Sequence, residues 1–169
     1  MIIHCTKKMA AKLSNVQSKP QLETSPLGSW HANLYVFDDL DCVMFTHDET
    51  RYSLFFPGAI TPMLDNFEEV FKTLFLDSLS HLGVTDKQLS KVKLAMGKMI
   101  LDVNTDRSVL STMNNHSHAV NAKVVREEYV MDLDIASLNY WLSEMFVKTK
   151  AQPDYWLPNN KMKELVASL

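Results

Sequence analysis

The chain has 169 residues, of which 46% are apolar and 22% charged, as in an ordinary globular domain. This length suits one domain, predicted over residues 1–169, and can bury a core without metal or disulfide staples. With 4 Gly and 6 Pro the chain is neither collagen-like nor low-complexity, and 17 basic against 20 acidic side chains exclude a polybasic nucleic-acid binder.

The predicted strands come early in the chain. Residues 1–6 form a short strand rich in β-branched side chains, and Thr6 can cap a short helix that follows it. Residues 15–29 hold Pro, Gly, Ser and Thr and predict a loop. Three further strands, separated by short turns, favour an antiparallel meander. They cover residues 30–37, 42–46 and 52–56.

The second half of the sequence is mostly helical. Thr61 and Pro62 predict a helix start, and apolar residues then recur at helical spacing as far as Gly83. A capping box over residues 85–88 opens a shorter helix. Residues 99–103 favour a late strand. Further helices are predicted from residue 107, after Asp134, and over residues 160–169.

These elements predict an α+β domain. Its sheet would be mostly antiparallel, built from the first strand, the three-stranded meander and the later strand, with helices packed on one face. The apolar side of each element predicts the core, which comprises Trp30, Leu34, Phe45, Phe67, Phe71, Leu74, Leu110, Leu138 and Leu142.

The cysteines and the apolar runs indicate the cellular compartment in which the protein is expected. Cys5 and Cys42 lie within apolar runs and predict buried free thiols in a reducing cytoplasm, or a bridge if their strands pair. The first apolar residues precede the lysines, which reverses the order of a secretory signal. No stretch approaches the roughly 18 apolar residues that span a bilayer. We expect a cytoplasmic protein with no membrane partner.

Histidines occur in two groups that resemble metal ligands. His4 and His31 share a face if the first strand pairs beside residues 30–37, but zinc prefers three or four ligands at recognisable spacing, and no such motif occurs. His116 and His118 point to different sides of a predicted helix and indicate a solvated helix end. We predict no metal site and no cofactor.

The densest polar stretch covers residues 104–115, after a predicted strand and at the start of a predicted helix. A helix N-terminus suits an anion because its first N–H groups are free and its dipole end is positive. Arg107 can add a bidentate clamp, and Ser108 and Thr112 further donors. The alternative is ordinary capping by Thr105 or Asp106, with Arg107 paired to a local carboxylate.

Two other residues extend this candidate site for a small anionic ligand. His31 is the best candidate base, because an unperturbed histidine titrates near neutrality and its strand belongs to the sheet on which the helix should pack. Asn114 can contact a ligand or tie down the turn before the helix.

Aromatic residues near the end of the chain indicate core packing together with a partner surface, because too few basic residues accompany them for base stacking. They are Tyr140, Trp141, Tyr155 and Trp156. The 10 methionines are mostly explained by core filling, although methionine also adapts well to binding surfaces.

Several segments together resemble a known family. In chain order they are Ile3-His4-Cys5-Thr6-Lys7-Lys8, Trp30-His31-Ala32-Asn33-Leu34, Cys42-Val43-Met44-Phe45-Thr46 and Thr105-Asp106-Arg107-Ser108-Val109-Leu110. Over most of its length the chain is similar to the prokaryotic family catalogued as domain of unknown function sixty-nine thirty-three. Ser111 stands where the family has Gly and Asn115 where it has Asp, which weakens a metal-based role. The resemblance implies a bacterial or archaeal source and no particular activity.

We therefore predict a cytoplasmic, non-enzymatic accessory module that associates with itself or with another protein. The first alternative is an enzyme acting on a phosphorylated or nucleotide substrate in a groove formed by His31, Arg107 and Asn114. The second is a nucleic-acid-binding regulator that uses the four lysines within residues 7–19, which the net charge of −3 disfavours.

Overall fold

The computed structural model describes residues 1–127 and 129–169 and contains one five-stranded sheet. The predicted early strands and the late strand are all present, at boundaries close to those expected. The strands are β1 (Ile2–Cys5), β2 (Trp30–Phe37), β3 (Leu40–His47), β4 (Ser53–Phe56) and β5 (Ile100–Asp102).

The sheet is mixed, in the order β4-β3-β2-β1-β5. β2, β3 and β4 form the predicted antiparallel meander, whereas β1 pairs in parallel with both β2 and β5. The expectation of a mostly antiparallel sheet is therefore wrong. Tight turns identify antiparallel neighbours in a sequence, but parallel neighbours are joined by long crossovers that leave no such local signal.

Seven helices surround this sheet in the described residues, and several begin at the predicted caps. Thr85 and Gln88 form both halves of the capping box, and the Asp134 side chain accepts from the backbone N–H of Ser137. The helix predicted to begin near Thr61 is divided in two at Asn66. The helices are α1 (Lys7–Ala10), α2 (Thr61–Asp65), α3 (Phe67–His81), α4 (Asp86–Met96), α5 (Arg107–Glu127), α6 (Ile135–Leu142) and α7 (Pro158–Ala167).

Helices cover both faces of the sheet, which corrects the expectation of one covered face. On the first face, Trp30 and Phe45 pack against Phe71 of α3, and this core continues into α4 and α7. On the second face, Met44 and Phe55 belong to a separate core with α5 and α6. Apolar side chains alternate on both sides of β3 and β4, so each face needs its own cover.

The predicted core residues are buried, except that Leu74 and Leu110 are half-buried. Cys5 and Cys42 are both buried free thiols, and they belong to the cores on opposite faces of the sheet. This placement excludes the bridge between them. Within the described residues, no helix combines the length and the hydropathy needed to cross a bilayer.

Candidate anion-binding cavity and the polar row beneath it

A row of polar side chains crosses all five strands on the face covered by α5. Strand register aligns Asp102 with His4, His4 with His31, His31 with Thr46, and Thr46 with Ser53. Each of these residues is at most 8% exposed. Buried polar groups destabilise a fold unless they are hydrogen-bonded, so the pairing within this row determines what it can do.

In the histidine half of the row, each imidazole is paired with a carboxylate of the protein. Nδ1 of His4 lies 2.6 Å from Oδ1 of Asp102, and Nδ1 of His31 lies 2.6 Å from Oδ1 of Asp48. The two imidazole ring centres are 5.0 Å apart, so the predicted shared face is confirmed. The backbone N–H of Asp106 donates to Nε2 of His31 over 2.6 Å.

This pairing leaves His31 without a free nitrogen. Because Nε2 accepts a hydrogen bond, the ring proton is on Nδ1 and is donated to Asp48. His31 is also 1% exposed, so it orients the start of α5 and does not present a base to a groove. In the part of the chain that the structure describes, no three His, Cys, Asp or Glu side chains are arranged to hold a metal ion.

The hydroxyl half of the row fixes His116. Ser53 Oγ donates to the carbonyl oxygen of Arg51 (3.2 Å), and it lies 2.8 Å from Thr46 Oγ1 and 2.9 Å from Nδ1 of His116. Nδ1 of His116 is therefore paired with Ser53, and Nε2 is the ring nitrogen left for other contacts.

His116 is 2% exposed, so the expectation of a solvated helix end is wrong for this residue, although His118 is exposed. Two residues along a helix is a rotation of about 200°, which turns one side chain to the sheet and the other to solvent. Burial lowers the pKa of His116 to about 4, so the imidazole is neutral at pH 7.

An open cavity of about 1070 Å³ lies between the first half of α5 and residues 145–155. Arg107, Ser108 and Thr112, all predicted as ligand-binding residues, line this cavity together with His116. Ser108, Thr112 and His116 are four residues apart in turn, and that spacing puts them on one side of the helix. The structure therefore brings the predicted ligand-binding residues together on one wall.

Asn114 lies outside the cavity. Its Oδ1 accepts a hydrogen bond from the hydroxyl of Tyr35 over 2.9 Å, which ties α5 to β2. The groove predicted from His31, Arg107 and Asn114 is thus not formed by these three side chains, because His31 lies beneath the helix and Asn114 on its flank.

The cavity is strongly positive. Four cationic side chains line it, Arg51, Arg107, Lys148 and Lys150, and Asp106 is the one carboxylate among its described lining residues. This charge contrasts with the formal net charge of −3 for the whole chain. Local positive charge in a concave site raises the local concentration of anions.

Asp106 caps α5 in the way that the ordinary-capping alternative predicts. Its Oδ1 accepts from the backbone N–H groups of Ser108 (2.6 Å) and Val109 (3.1 Å). Two of the amides expected to be free for a ligand, those of Ser108 and Val109, are therefore occupied, because a carboxylate one residue before the helix reaches them first. Side chains therefore supply most of the donors that an anion could meet in this cavity.

Arg51 is the cavity residue that sequence reasoning missed. It is 6% exposed and lies in the turn between β3 and β4, with φ +63°. One Nη donates to the carbonyl of Asp48 and the other to Ser108 Oγ (3.1 Å), whereas its buried Nε–H has no partner in the part of the chain that the structure describes. A guanidinium carries five N–H donors and keeps its charge in proteins, so this residue retains donors for an anion.

The opposite wall of the cavity is a short hairpin. Val147 and Trp156 pair as an isolated antiparallel bridge. The indole N–H of Trp156 donates to the buried carbonyl of Thr50 over 2.9 Å, which anchors the hairpin beside the Arg51 turn. Lys148 and Tyr155 follow this bridge on the cavity side, with the Lys148 Nζ 4.8 Å from the centre of the Tyr155 ring.

The late aromatic residues thus divide by position. Trp156 is 8% exposed and acts as the anchor, whereas Tyr155 is 62% exposed on the cavity wall. Tyr140 and Trp141 lie on α6, away from the cavity, and are 41% and 38% exposed.

One family profile, described as Domain of unknown function (DUF6933), matches residues 2–161. The chain belongs to this family. The predicted resemblance is therefore confirmed, and the matched region of this DUF6933 member includes the whole polar row and every cavity residue. No curated protein and no solved structure matches the chain.

Proposed function

We propose that this protein binds a small molecule carrying a phosphate group, with the anion at Arg51, Arg107 and Ser108. The observation that supports this most directly is the buried Arg51 guanidinium on the cavity wall, which pairs two of its five N–H donors, both on Nη atoms, with described residues. A buried charge without full pairing is costly, and an anion would offset that cost. Guanidinium groups also match the geometry of phosphate oxygens better than lysine does.

The size of the cavity supports a small ligand. Its volume of about 1070 Å³ is just above the ~300–1,000 Å³ typical of small-molecule pockets. The sequence predicts, as an alternative, a phosphorylated or nucleotide ligand bound by His31, Arg107 and Asn114. The proposal keeps that class of ligand and places it in this cavity, whose lining includes Arg51 and His116 instead of His31 and Asn114.

Calorimetric titration with inorganic phosphate and ribose 5-phosphate tests this proposal. Arg107→Ala removes an exposed cavity charge, and Arg126→Ala is the matched control, since Arg126 is an exposed arginine near the far end of the same helix. A charged hydrogen bond contributes about 1.5–3 kcal/mol, so we expect Arg107→Ala to weaken binding at least about tenfold and Arg126→Ala less than about twofold.

Circular dichroism establishes that both variants remain folded. The proposal fails if wild-type protein binds neither compound at millimolar concentration, or if the two arginine variants weaken binding equally. Binding should also weaken as salt is raised, because part of the attraction is screened.

Self-association is a second proposal, supported by the half-exposed Tyr140 and Trp141 on α6. Sedimentation velocity should show a dimer that Trp141→Ser dissociates, and a wild-type monomer at all accessible concentrations contradicts it. The nucleic-acid alternative is weakened, because Lys12 Nζ lies 2.9 Å from Asp41 Oδ2 and is partly neutralised.

A further inference from the structure

We propose further that the ligand is a nucleotide-like phosphate ester, with its phosphate at the start of α5 and its aromatic ring two turns further along, at His116. This inference rests on the proposed function and specifies the class of ligand. Three features of the cavity support it: its length, the position of His116 in its lining, and an exposed aromatic pair in the same lining.

The polar wall of the cavity is longer than a phosphate ion. Ser108 and His116 are eight residues apart on α5, which is about 12 Å along the axis at ~1.5 Å per residue. Arg51 reaches only the first end of this wall, where its Nη contacts Ser108 Oγ. A ligand that contacts both ends must therefore extend over roughly 10 Å. This length is slightly less than the axial separation because the longer His116 side chain leans further toward the helix N-terminus than that of Ser108.

His116 presents its Nε2 at the second end. Its Nδ1 lies 2.9 Å from Ser53 Oγ, and Ser53 is held in turn by Thr46 and by the carbonyl of Arg51. Nε2 has no hydrogen-bond partner among the described residues, and the ring lines the cavity. A ring nitrogen held in place in this way favours a ligand that offers a hydrogen-bonding group at this position.

The lining of the same cavity offers aromatic surface. Phe146 and Tyr155 are 68% and 62% exposed, with ring centres 6.5 Å apart and ring planes at 85°, so a planar ligand can stack on one of them at a time. They flank the paired Val147 and Trp156, so the hairpin fixes both rings at the cavity rim. Exposed aromatic faces of this kind stack on planar rings, and nucleobases combine a planar ring with N–H donors.

Calorimetry with AMP, CMP, GMP and UMP tests this inference, with ribose 5-phosphate as the probe that lacks a base. We expect at least one nucleotide to bind at least tenfold more tightly than ribose 5-phosphate. His116→Asn retains an amide group for Ser53 but removes Nε2, and Tyr155→Ser removes the exposed ring. Both variants should lower nucleotide affinity toward that of ribose 5-phosphate, and should lower it by a larger factor than they lower ribose 5-phosphate affinity.

Tyr129→Ser is the control, since it removes a 41% exposed tyrosine that does not line the cavity. If ribose 5-phosphate binds as tightly as all four nucleotides, this inference is overturned and the proposed function stands. If no phosphate compound binds, both fail. If His116→Asn does not fold, Tyr155→Ser decides, because its side chain is exposed and unchanged nucleotide affinity in that variant overturns the inference.

Discussion

His116 should make the stability of this protein sensitive to mild acid. Its pKa is lowered from 6.5 to about 4 by burial, so the unfolded chain binds a proton more readily than the folded one. Stability is therefore fully present above pH 6.5, and is lost as the pH falls toward 4. Proton linkage gives a loss of about 2 kcal/mol between pH 7.5 and pH 5 from this residue alone.

Urea unfolding of wild type and His116→Asn at pH 7.5 and pH 5.0 measures this effect. At pH 7.5 the variant should be less stable, because the smaller side chain leaves space in the core. At pH 5.0 the difference should shrink by about 2 kcal/mol, since asparagine does not titrate.

A second buried histidine makes the comparison with the variant essential. Burial also lowers the pKa of His47, whose Nε2 lies 2.6 Å from the carbonyl oxygen of Leu27. The free energy of unfolding that the wild type loses between the two pH values is therefore larger than the contribution of His116. Only the difference between wild type and His116→Asn isolates that contribution. An identical pH dependence in both proteins would show that His116 is not buried and neutral as described.

Three further predictions concern stability and the thiols. Phe71→Ala should cost about 3–5 kcal/mol in urea unfolding, whereas Leu94→Ala, at an 84% exposed position, should change stability by less than ~0.5 kcal/mol; equal effects would contradict the helix phase. Asp102→Asn should cost about 3 kcal/mol, because the fully buried carboxylate accepts three hydrogen bonds, and an unchanged midpoint would contradict this. Burial raises the pKa of both thiols, to about 12 for Cys5, so Cys5 and Cys42 should resist a chromogenic disulfide reagent at pH 8. In guanidinium without reductant both thiols should react. Fewer than two reactive thiols would contradict the free state of the cysteines.

Local features of this fold could be predicted from the sequence. The capping box at Thr85 and the caps at Asp106 and Asp134 depend on contacts within four residues, and all three occur. The meander is equally local, because short turns determine which strands pair. The assignment of the β3 side chains to the two faces of the sheet could not be predicted in this way, since a continuous apolar run does not show which residues face which helices.

Most of the cavity depends on contacts that the sequence does not show. Arg51 stands in an acidic turn and is typical of a solvated position, yet the fold carries it to Ser108, 57 residues away. The pairing of His4 with Asp102 likewise depends on two parallel registers of β1. Arg107 could be chosen from the sequence as a ligand-binding residue because it stands at a helix start, which a few neighbouring residues are enough to identify.

The interior position of β1, between β2 and β5, has a consequence for folding during synthesis. β1 is made before both of its neighbours, but its partner β5 lies nearly 100 residues later in the chain. The strand can pair with β2 early, while its other edge stays unpaired until β5 emerges from the ribosome. At ~5–20 residues per second this interval lasts several seconds or more, and unpaired edges favour aggregation. Expression at lower temperature or with chaperones should therefore raise the soluble yield more than stabilising the finished fold would.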